Sequence, residues 1–181
     1  EVELIDVTAR ALLAIGFSDF TVHINDRLLL RGMLESFGFA PQALDTVCVT
    51  FDKLDKVGPQ GVAAELEEKA MPAAAVQALE AFLEKGAFSL DDVSALCADK
   101  SLGGSVRYVL DTVGRLSGGR YAVVYTTSLV RGQGYYTGMV FEVTCAAFSG
   151  AVAGGGRYDD MVGKFLGQKV PAVGFSIGFE R

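Results

Sequence analysis

The sequence predicts an α+β fold in which an antiparallel sheet is flanked by helices and interrupted by a helical insert at about residues 52–117. Two changes of pattern along the chain support this prediction. Apolar residues keep a helical spacing through the middle of the chain, and from Tyr121 they form short runs rich in Val, Phe and Tyr. Glycines are concentrated among those runs, as is typical of strands joined by turns. We therefore expect three segments, residues 1–51, 52–117 and 118–181.

The first segment has the pattern of a helix, a strand and a second helix. Residues 2–15 place apolar side chains on one helical face, and Gly16 is suited to end that helix. Residues 20–24 alternate apolar and polar side chains, which predicts a half-buried strand. Asp26 then stands where it can cap the second helix. The short apolar stretch at residues 47–51 predicts another strand.

The middle segment carries the signals of several short helices. Pro59 and Pro72 stand where helices can start, because proline fits the first helical turn. Ser89 and Asp92 have the spacing of a capping pair, and Ser105 is placed to open a last helix.

The last segment is predicted to contain strands. Apolar runs at residues 121–125, 139–144 and 172–179 are rich in the residues that favour strands. Because glycine-rich stretches separate these runs, the strands are expected to form antiparallel hairpins.

Composition excludes several classes of protein. Half of the 181 residues are hydrophobic, yet no apolar run approaches the roughly 20 residues that span a bilayer, so no membrane partner is expected. The three cysteines are far apart, and His23, read as a strand-face residue, is the single histidine. A disulfide framework and a Cys/His zinc site are therefore not expected, and a reducing cytoplasm is the default. The net charge of -6 argues against strong independent binding of nucleic acid.

An arginine on a glycine-rich turn is the first candidate for a catalytic or ligand-binding residue. Residues 129–142 read LVRGQGYYTGMVFE, in which Arg131 can present a fork of donors to a phosphate or carboxylate. If Tyr135 and Tyr136 lie on a strand, they point to opposite faces, so one can pack in the core while the other offers a hydroxyl to a pocket. From spacing alone, the alternative is a β-hairpin with a surface arginine and two packed rings.

Two further segments with glycines are candidates for a ligand site. Residues 153–159 read AGGGRYD, where three successive glycines can let a small ligand lie against the backbone or can form a flexible hairpin turn. Residues 171–181 read PAVGFSIGFER, a strand that ends in an acid and an arginine. The chain has neither a Walker loop nor a clean GxGxxG motif that opens a helix, which excludes simple P-loop and dinucleotide sites.

Together, these segments resemble the histidyl-tRNA synthetases, a family of class II aminoacyl-tRNA synthetases. Residues 129–142 are similar to the family's histidine-specific signature, Arg-Gly-x-x-Tyr-Tyr-Thr-Gly-x-x-Phe-Glu. Residues 153–159 resemble its second histidine-pocket loop, and residues 174–181 resemble motif 3. A weaker similarity, at residues 24–27 and 52–56, is to the segment that follows motif 2.

The resemblance implies a fold and an activity. It implies the C-terminal part of a catalytic core with a class II antiparallel sheet, in a cytoplasmic and homodimeric enzyme without a structural metal. That enzyme activates L-histidine with ATP, which brings Mg²⁺ as part of the substrate complex, and transfers it to the 3′ end of tRNA(His). Motif 1, motif 2 and the anticodon-binding domain are not in this sequence. We therefore expect a fragment of a longer protein that is inactive by itself.

The resemblance also assigns roles to single residues. Arg131 would act in catalysis by contacting the α-phosphate of ATP and the histidine carboxylate. Tyr136 and Tyr158 match the positions that approach the imidazole, and Tyr135 lies beside them. The other expected contacts are Gly155 and Gly156 on the floor of the histidine pocket, and Gly178 and Arg181 at ATP.

One alternative function and one departure from the family pattern accompany this interpretation. A paralogue of these synthetases binds histidine and regulates ATP phosphoribosyltransferase. Arg131 and Arg181 argue against it, because a histidine sensor has no need of arginines that handle ATP. A purely structural or protein-binding domain would require all three motifs to be coincidental. The departure is Gly134, which stands where many family members carry an acid, so a hydrogen bond from that acid is lost.

Overall fold

The computed structural model describes residues 1–86, 88–131 and 134–180, and within them eight helices and five strands are found. The helices are α1 (Val2–Ala14), α2 (Arg27–Ser36), α3 (Leu44–Phe51), α4 (Leu54–Glu68), α5 (Ala73–Leu83), α6 (Leu90–Leu96), α7 (Leu102–Ser117) and α8 (Asp159–Leu166). The strands are β1 (Phe20–Asp26), β2 (Ala122–Tyr125), β3 (Met139–Cys145), β4 (Ala151–Arg157) and β5 (Val173–Ile177).

The strands form one mixed sheet in the order β2-β1-β3-β4-β5. The pairs β1–β3, β3–β4 and β4–β5 are antiparallel, whereas β1 and β2 are parallel. A parallel pair needs a long connection, and the chain from α2 to α7 supplies one. The predicted α+β fold with flanking helices is therefore confirmed, while the expectation of a wholly antiparallel sheet fails at this one pair.

The sheet has one apolar and one polar face. In the register of β1 against β3, Val22 lies opposite Val143 and Ile24 opposite Phe141. All four side chains are at most 1% exposed and belong to a core shared with the helices. Side chains alternate across a strand, so the intervening positions, among them Glu142, point to the other face. That polar face is where the candidate site lies.

Local capping signals in the sequence are confirmed. The Asp26 carboxylate accepts hydrogen bonds from the backbone N–H groups of Leu28 at 2.7 Å and Leu29 at 3.3 Å, which caps α2. Ser89 and Asp92 form a reciprocal capping box at the start of α6. By contrast, α7 begins at Leu102, three residues before the predicted start.

The strand predicted at residues 47–51 is wrong, because these residues belong to α3. The buried residues Leu44, Val47, Cys48 and Phe51 follow the i, i+3, i+4, i+7 pattern of one helical face. A window of five residues was too short to separate that pattern from an apolar strand.

All three glycines of residues 153–159 lie in strand β4 and not in a loop or hairpin turn. This strand pairs with β3 on one side and β5 on the other, so its backbone is satisfied by both neighbours. Helix α8 follows directly and was not predicted.

The middle of the chain is helical, as predicted. Within α4, Gly58 has non-helical backbone angles, so Pro59 begins a second helical stretch, and Pro72 is the N-cap of α5. The helices of residues 52–117 contribute to the same apolar core as α1 and α2. Their separation as an insert, with boundaries after residues 51 and 117, stays a prediction. In the described part of the chain, every helix is too short or too polar to cross a membrane.

Candidate functional site on the polar face of the sheet

A cleft of about 510 Å³ opens on the polar face of the sheet, between β1, β3 and the start of α4. We call it the polar cleft. Its walls combine acidic groups (Asp52, Asp55 and Glu142) with the cations Lys56 and Arg131. Such a mixture suits a ligand that carries both charged and hydrogen-bonding groups.

A second cleft of about 500 Å³ lies over the ends of β4 and β5, and we call it the strand cleft. Residues 151–154 form one side, and Ser176, Gly178 and Phe179 form the other. Arg131 lines both clefts. Its guanidinium can therefore contact a single ligand that spans them, or two ligands that meet there.

Arg131 is held against the sheet by its own hydrogen bonds. Its Nη1 donates to the carbonyl oxygen of Phe141 at 3.2 Å and to Oε2 of Glu142 at 3.1 Å. A β-carbon on Gly154 would lie 1.9 Å from the same Nη1, so the guanidinium lies directly on that glycine. The backbone of Arg131 has φ = 50°, a left-handed conformation that is uncommon for a residue with a side chain. Backbone strain of this kind is concentrated at functional sites.

The segment that leads to Arg131 is anchored by Asn25 on β1. The side-chain Nδ2 of Asn25 donates to the carbonyl oxygens of Thr127 and Leu129, both at 3.0 Å. Asn25 is 1% exposed, and its Oδ1 accepts from the backbone N–H of Asp26 at 2.8 Å. One buried amide thus connects β1 to the loop that positions the arginine.

Replacing Asn25 by alanine is expected to lower the free energy of unfolding by about 2–4 kcal/mol, because two buried carbonyl groups lose their donor. Denaturant unfolding of the two proteins measures this difference. Gln77→Ala, which removes an exposed amide on α5, is the control and should change stability by less than about 0.5 kcal/mol. Equal stabilities for the Asn25 variant and the wild type would mean that this loop is held by other contacts.

Tyr135 and Tyr136 line the polar cleft with Arg131, and Tyr158 packs against this tyrosine pair. The hydroxyl of Tyr135 donates a hydrogen bond to the hydroxyl of Tyr136 at 3.1 Å. The rings of Tyr135 and Tyr158 are in edge-to-face contact. Tyr136 is buried and Tyr135 is the more exposed of the pair, a question that the sequence left open. Burial raises the pKa of Tyr136 to about 12. Its hydroxyl therefore keeps its proton at neutral pH.

Glycines allow each of these close approaches. A β-carbon on Gly156 would lie 2.8 Å from the ring of Tyr136, and one on Gly174 would lie 2.5 Å from the hydroxyl of Tyr158. A β-carbon on Gly155 would lie 1.9 Å from the carbonyl oxygen of Gly174, so that position is required by the pairing of β4 with β5. The expected role of Gly155 and Gly156 as the floor of a histidine pocket stays a prediction.

Of the two residues predicted to contact ATP, the structure describes Gly178 only. Gly178 lines the strand cleft, and its backbone N–H donates to the carbonyl oxygen of Val152 at 2.8 Å. Arg181 lies outside the described residues.

His23 lies on the polar face and has a partner on each ring nitrogen. Nδ1 is 2.9 Å from Oγ1 of Thr126, and Nε2 is 2.8 Å from Oγ1 of Thr144. Burial lowers the pKa of His23, and Asp55 opposes the shift. A neutral imidazole between two hydroxyls agrees with its interpretation as a strand-face residue.

No role was predicted for Glu142 or Asn25, and Gly154 was predicted only as one of three glycines that a ligand could contact, yet all three residues support Arg131. Alternation along β3 offered a signal for Glu142, because Glu142 and Thr144 are the polar residues within a run of apolar ones. Burial raises the pKa of Glu142, and Arg131 opposes the shift. Across residues 1–86, 88–131 and 134–180, no three His, Cys, Asp or Glu side chains are grouped so that they could hold a metal ion.

Comparison with known proteins extends over the whole chain. A family model described as histidyl-tRNA synthetase matches residues 1–181. The histidine–tRNA ligase of Leifsonia xyli subsp. xyli is 41% identical over 191 aligned residues, which cover 100% of this chain and 44% of that protein. The chain therefore spans less than half the length of this relative.

Solved structures show the same fold. The crystal structure of histidyl-tRNA synthetase from Nostoc sp. PCC 7120 aligns with a TM-score of 0.82 at 28% identity, covering 99% of this chain and 44% of that one. An ATP phosphoribosyltransferase regulatory subunit/histidyl-tRNA synthetase from Bacillus halodurans aligns with a TM-score of 0.79, covering 97% of this chain and 46% of that one. At 22% identity, this second likeness shows the fold alone.

Proposed function

Because the chain belongs to the histidyl-tRNA synthetase family, we propose that the full-length protein containing it is a histidine–tRNA ligase. It activates L-histidine with ATP and then transfers the histidyl group to the 3′ end of tRNA(His). The observation that carries the proposal is the position of Arg131, which lines two clefts and shares one of them with Tyr135 and Tyr136. A cation placed there can contact a carboxylate in one cleft and a phosphate in the other.

Arg131 has the chemical properties that the first step needs. An oxygen of the histidine carboxylate attacks the α-phosphorus of ATP, a new P–O bond forms, and pyrophosphate leaves with the electrons of the broken bond. Negative charge on the α-phosphate oxygens must be stabilised while this happens. A guanidinium that is already fixed in place provides donors without having to reorganise during the reaction.

The tyrosine hydroxyls are suited to select an imidazole. A neutral imidazole has one nitrogen that donates and one that accepts, and a protonated phenol can pair with either. We assign this contact to Tyr136 and Tyr158, with Tyr135 as the hydroxyl that orients Tyr136. Rejection of other amino acids follows, because a side chain without matching groups would leave these hydroxyls unpaired.

ATP is assigned to the strand cleft. Gly178 lines this cleft and is exposed, and the contact with the phosphate tail is assigned to Arg181 by resemblance to motif 3. Mg²⁺ would arrive with ATP as part of the substrate and would offset the negative charge of its phosphates. Among the described side chains, three carboxylates (Asp52, Asp55 and Glu142) line the polar cleft and one (Glu180) lines the strand cleft, which favours placing the polyanion in the strand cleft.

The remaining family properties are part of the same proposal. They are a class II catalytic core formed by residues 1–51 and 118–181, an insert at residues 52–117, a homodimer, and a cytoplasmic location. Free thiols at Cys48, Cys97 and Cys145 suit a reducing compartment.

Histidine-dependent exchange of label from pyrophosphate into ATP tests the proposed function. The full-length protein is expected to catalyse this exchange with histidine and not with other amino acids. The regulatory paralogue predicts a different result, namely histidine binding without exchange. That result would mean that the protein is a histidine sensor and not a ligase.

Tyr136→Phe and Tyr158→Phe are each expected to weaken histidine binding by about 1–3 kcal/mol, because a buried polar partner of the imidazole is lost while the ring stays in place. ATP affinity should remain close to that of the wild type. Calorimetric titration of the full-length protein with each ligand measures both effects. Tyr108→Phe, which alters a hydroxyl on an exposed side chain of α7, is the control. Normal histidine affinity in both test variants would mean that the imidazole is recognised elsewhere.

A further inference from the structure

We infer that Glu142 is a positioning residue for histidine activation, which holds the Arg131 guanidinium in place over Gly154 at the boundary of the two clefts. The inference rests on the proposed function and adds to it a residue to which the family signature gave no role. Its support is the geometry around one nitrogen atom.

The first support is that three groups fix the same end of the arginine. Nη1 donates to Glu142 Oε2 at 3.1 Å and to the carbonyl oxygen of Phe141 at 3.2 Å. Below it, the missing side chain of Gly154 leaves the space that the guanidinium occupies. In the sheet register, Glu142 lies directly opposite Gly154, so the acid and the space for the cation are neighbours across β3 and β4.

The second support is the difference in rigidity between the two partners. Glu142 lies within β3, which pairs with β1 and β4 along its length. Arg131 follows a loop and has a left-handed backbone conformation. A long side chain on a loop keeps many rotamers unless a rigid element holds it. Of the two, Glu142 is therefore the fixed partner, and Arg131 is the one that is positioned.

The third support is the environment of the ion pair. The side chains of Arg131 and Glu142 are 25% and 30% exposed, so water screens the pair less than it screens a pair on the open surface. The ion pair uses Nη1, and we assign the contacts with ligands in the two clefts to Nη2 and Nε of Arg131.

The charge state of Glu142 links this contact to pH. Burial raises the pKa of Glu142, while Arg131 opposes the shift and Asp52 and Asp55 add to it. A protonated Glu142 carries no charge to hold the guanidinium. Since protonation begins at a higher pH than for an ordinary glutamate, the positioning effect is lost as the pH falls. The titratable groups that face the polar cleft together with Glu142 are His23, Asp52, Asp55, Lys56, Arg131, Tyr135 and Tyr136.

Pyrophosphate exchange by full-length Glu142→Gln tests the inference. The maximal rate at neutral pH is expected to fall by about 10- to 100-fold, because a displacement of about 1 Å at a reacting centre has an effect of that size. The Michaelis constant for histidine should change little. The decrease in rate at acidic pH that is caused by protonation of Glu142 should be absent from the pH–rate profile of the variant. Asp91→Asn, which removes a carboxylate from the Arg107 pair on α6 and α7, is the matched control and should keep the wild-type rate.

A double variant distinguishes a Glu142 that acts through Arg131 from a Glu142 that contributes to the rate independently of Arg131. In an Arg131→Ala background, Glu142→Gln is expected to change the residual rate by less than about 2-fold, because residues that act through one group are not additive. A further drop of the same size as in the wild-type background would overturn the inference. So would a normal rate for Glu142→Gln alone.

A third arm does not depend on activity, so it distinguishes failure of this inference from failure of the proposed function. Phenylglyoxal modifies accessible arginines, and mass spectrometry locates the product. Modification of Arg131 is expected to be faster in Glu142→Gln than in the wild type, and unchanged in Asp91→Asn. Equal rates in all three proteins would overturn the inference even if exchange is normal. Absence of exchange in the wild type would instead overturn the proposed function.

Discussion

Replacing Arg131 by alanine in the full-length protein is expected to lower the maximal rate of pyrophosphate exchange by on the order of 100-fold or more, the effect of removing one donor that stabilises charge in the transition state. The Michaelis constant for histidine should change far less, because the charge on the α-phosphate oxygens is greatest in the transition state. Exchange rates measured against histidine concentration separate these two quantities.

Arg10→Ala provides the control for that experiment. Arg10 lies on α1, is largely exposed and pairs with Asp6, so its removal should leave the exchange rate unchanged. An Arg131→Ala protein with a normal maximal rate and only a raised Michaelis constant would contradict the catalytic role. Arg131 would then be a residue that binds the histidine carboxylate in the ground state.

The second large effect is expected for Gly155→Ala, which should lower the free energy of unfolding by about 3 kcal/mol, at the upper end of the usual cost of overpacking. The added β-carbon would lie 1.9 Å from the carbonyl oxygen of Gly174 and 2.8 Å from the α-carbon of Phe175. Both obstacles are backbone atoms of β5, so no side-chain rotation relieves the contact. Strand β5 must move away from β4, and the strand cleft is lost with it.

Gly134→Ala is the matched control, since among the described residues, apart from its chain neighbours, no atom would lie within 4 Å of a β-carbon at Gly134. Denaturant unfolding is expected to show a change of less than about 0.5 kcal/mol for this variant. If Gly155→Ala were as stable as Gly134→Ala, the close approach of β4 and β5 would not be a requirement of the fold. In that case, Gly155 would be available as the floor of a ligand pocket.

The parts of the fold that depend on local chemistry could be predicted from the sequence. Asp26 caps α2, and Ser89 with Asp92 caps α6, because a capping side chain acts on backbone groups two or three residues away. Prediction failed where the local window was ambiguous. Residues 47–51 are apolar in either conformation, and only the contacts of a complete helix such as α3 distinguish the two.

The candidate site was partly predictable for the same reason. Arg131 and Tyr136 line the polar cleft together, and Tyr158 packs against the cluster that contains Tyr136, although their roles stay predictions. The anchoring role of Asn25 and the contact of Gly154 with Arg131 could not be predicted from spacing. The partners of Asn25 lie more than 100 residues away along the chain, and the reason for glycine at position 154 is an arginine on a different segment. Both depend on the register of the sheet, which the sequence motifs do not contain.

A crystal structure of the full-length protein with a sulfamoyl analogue of histidyl-adenylate is the most direct test of the role of Arg131. We expect the sulfamoyl oxygens, which stand in for those of the α-phosphate, to lie within about 3.2 Å of the Arg131 guanidinium, as a charge-assisted hydrogen bond requires. We also expect the imidazole to contact the hydroxyl of Tyr136 or Tyr158 and the adenosine to occupy the strand cleft. An analogue bound away from Arg131, with both clefts empty, would contradict this assignment.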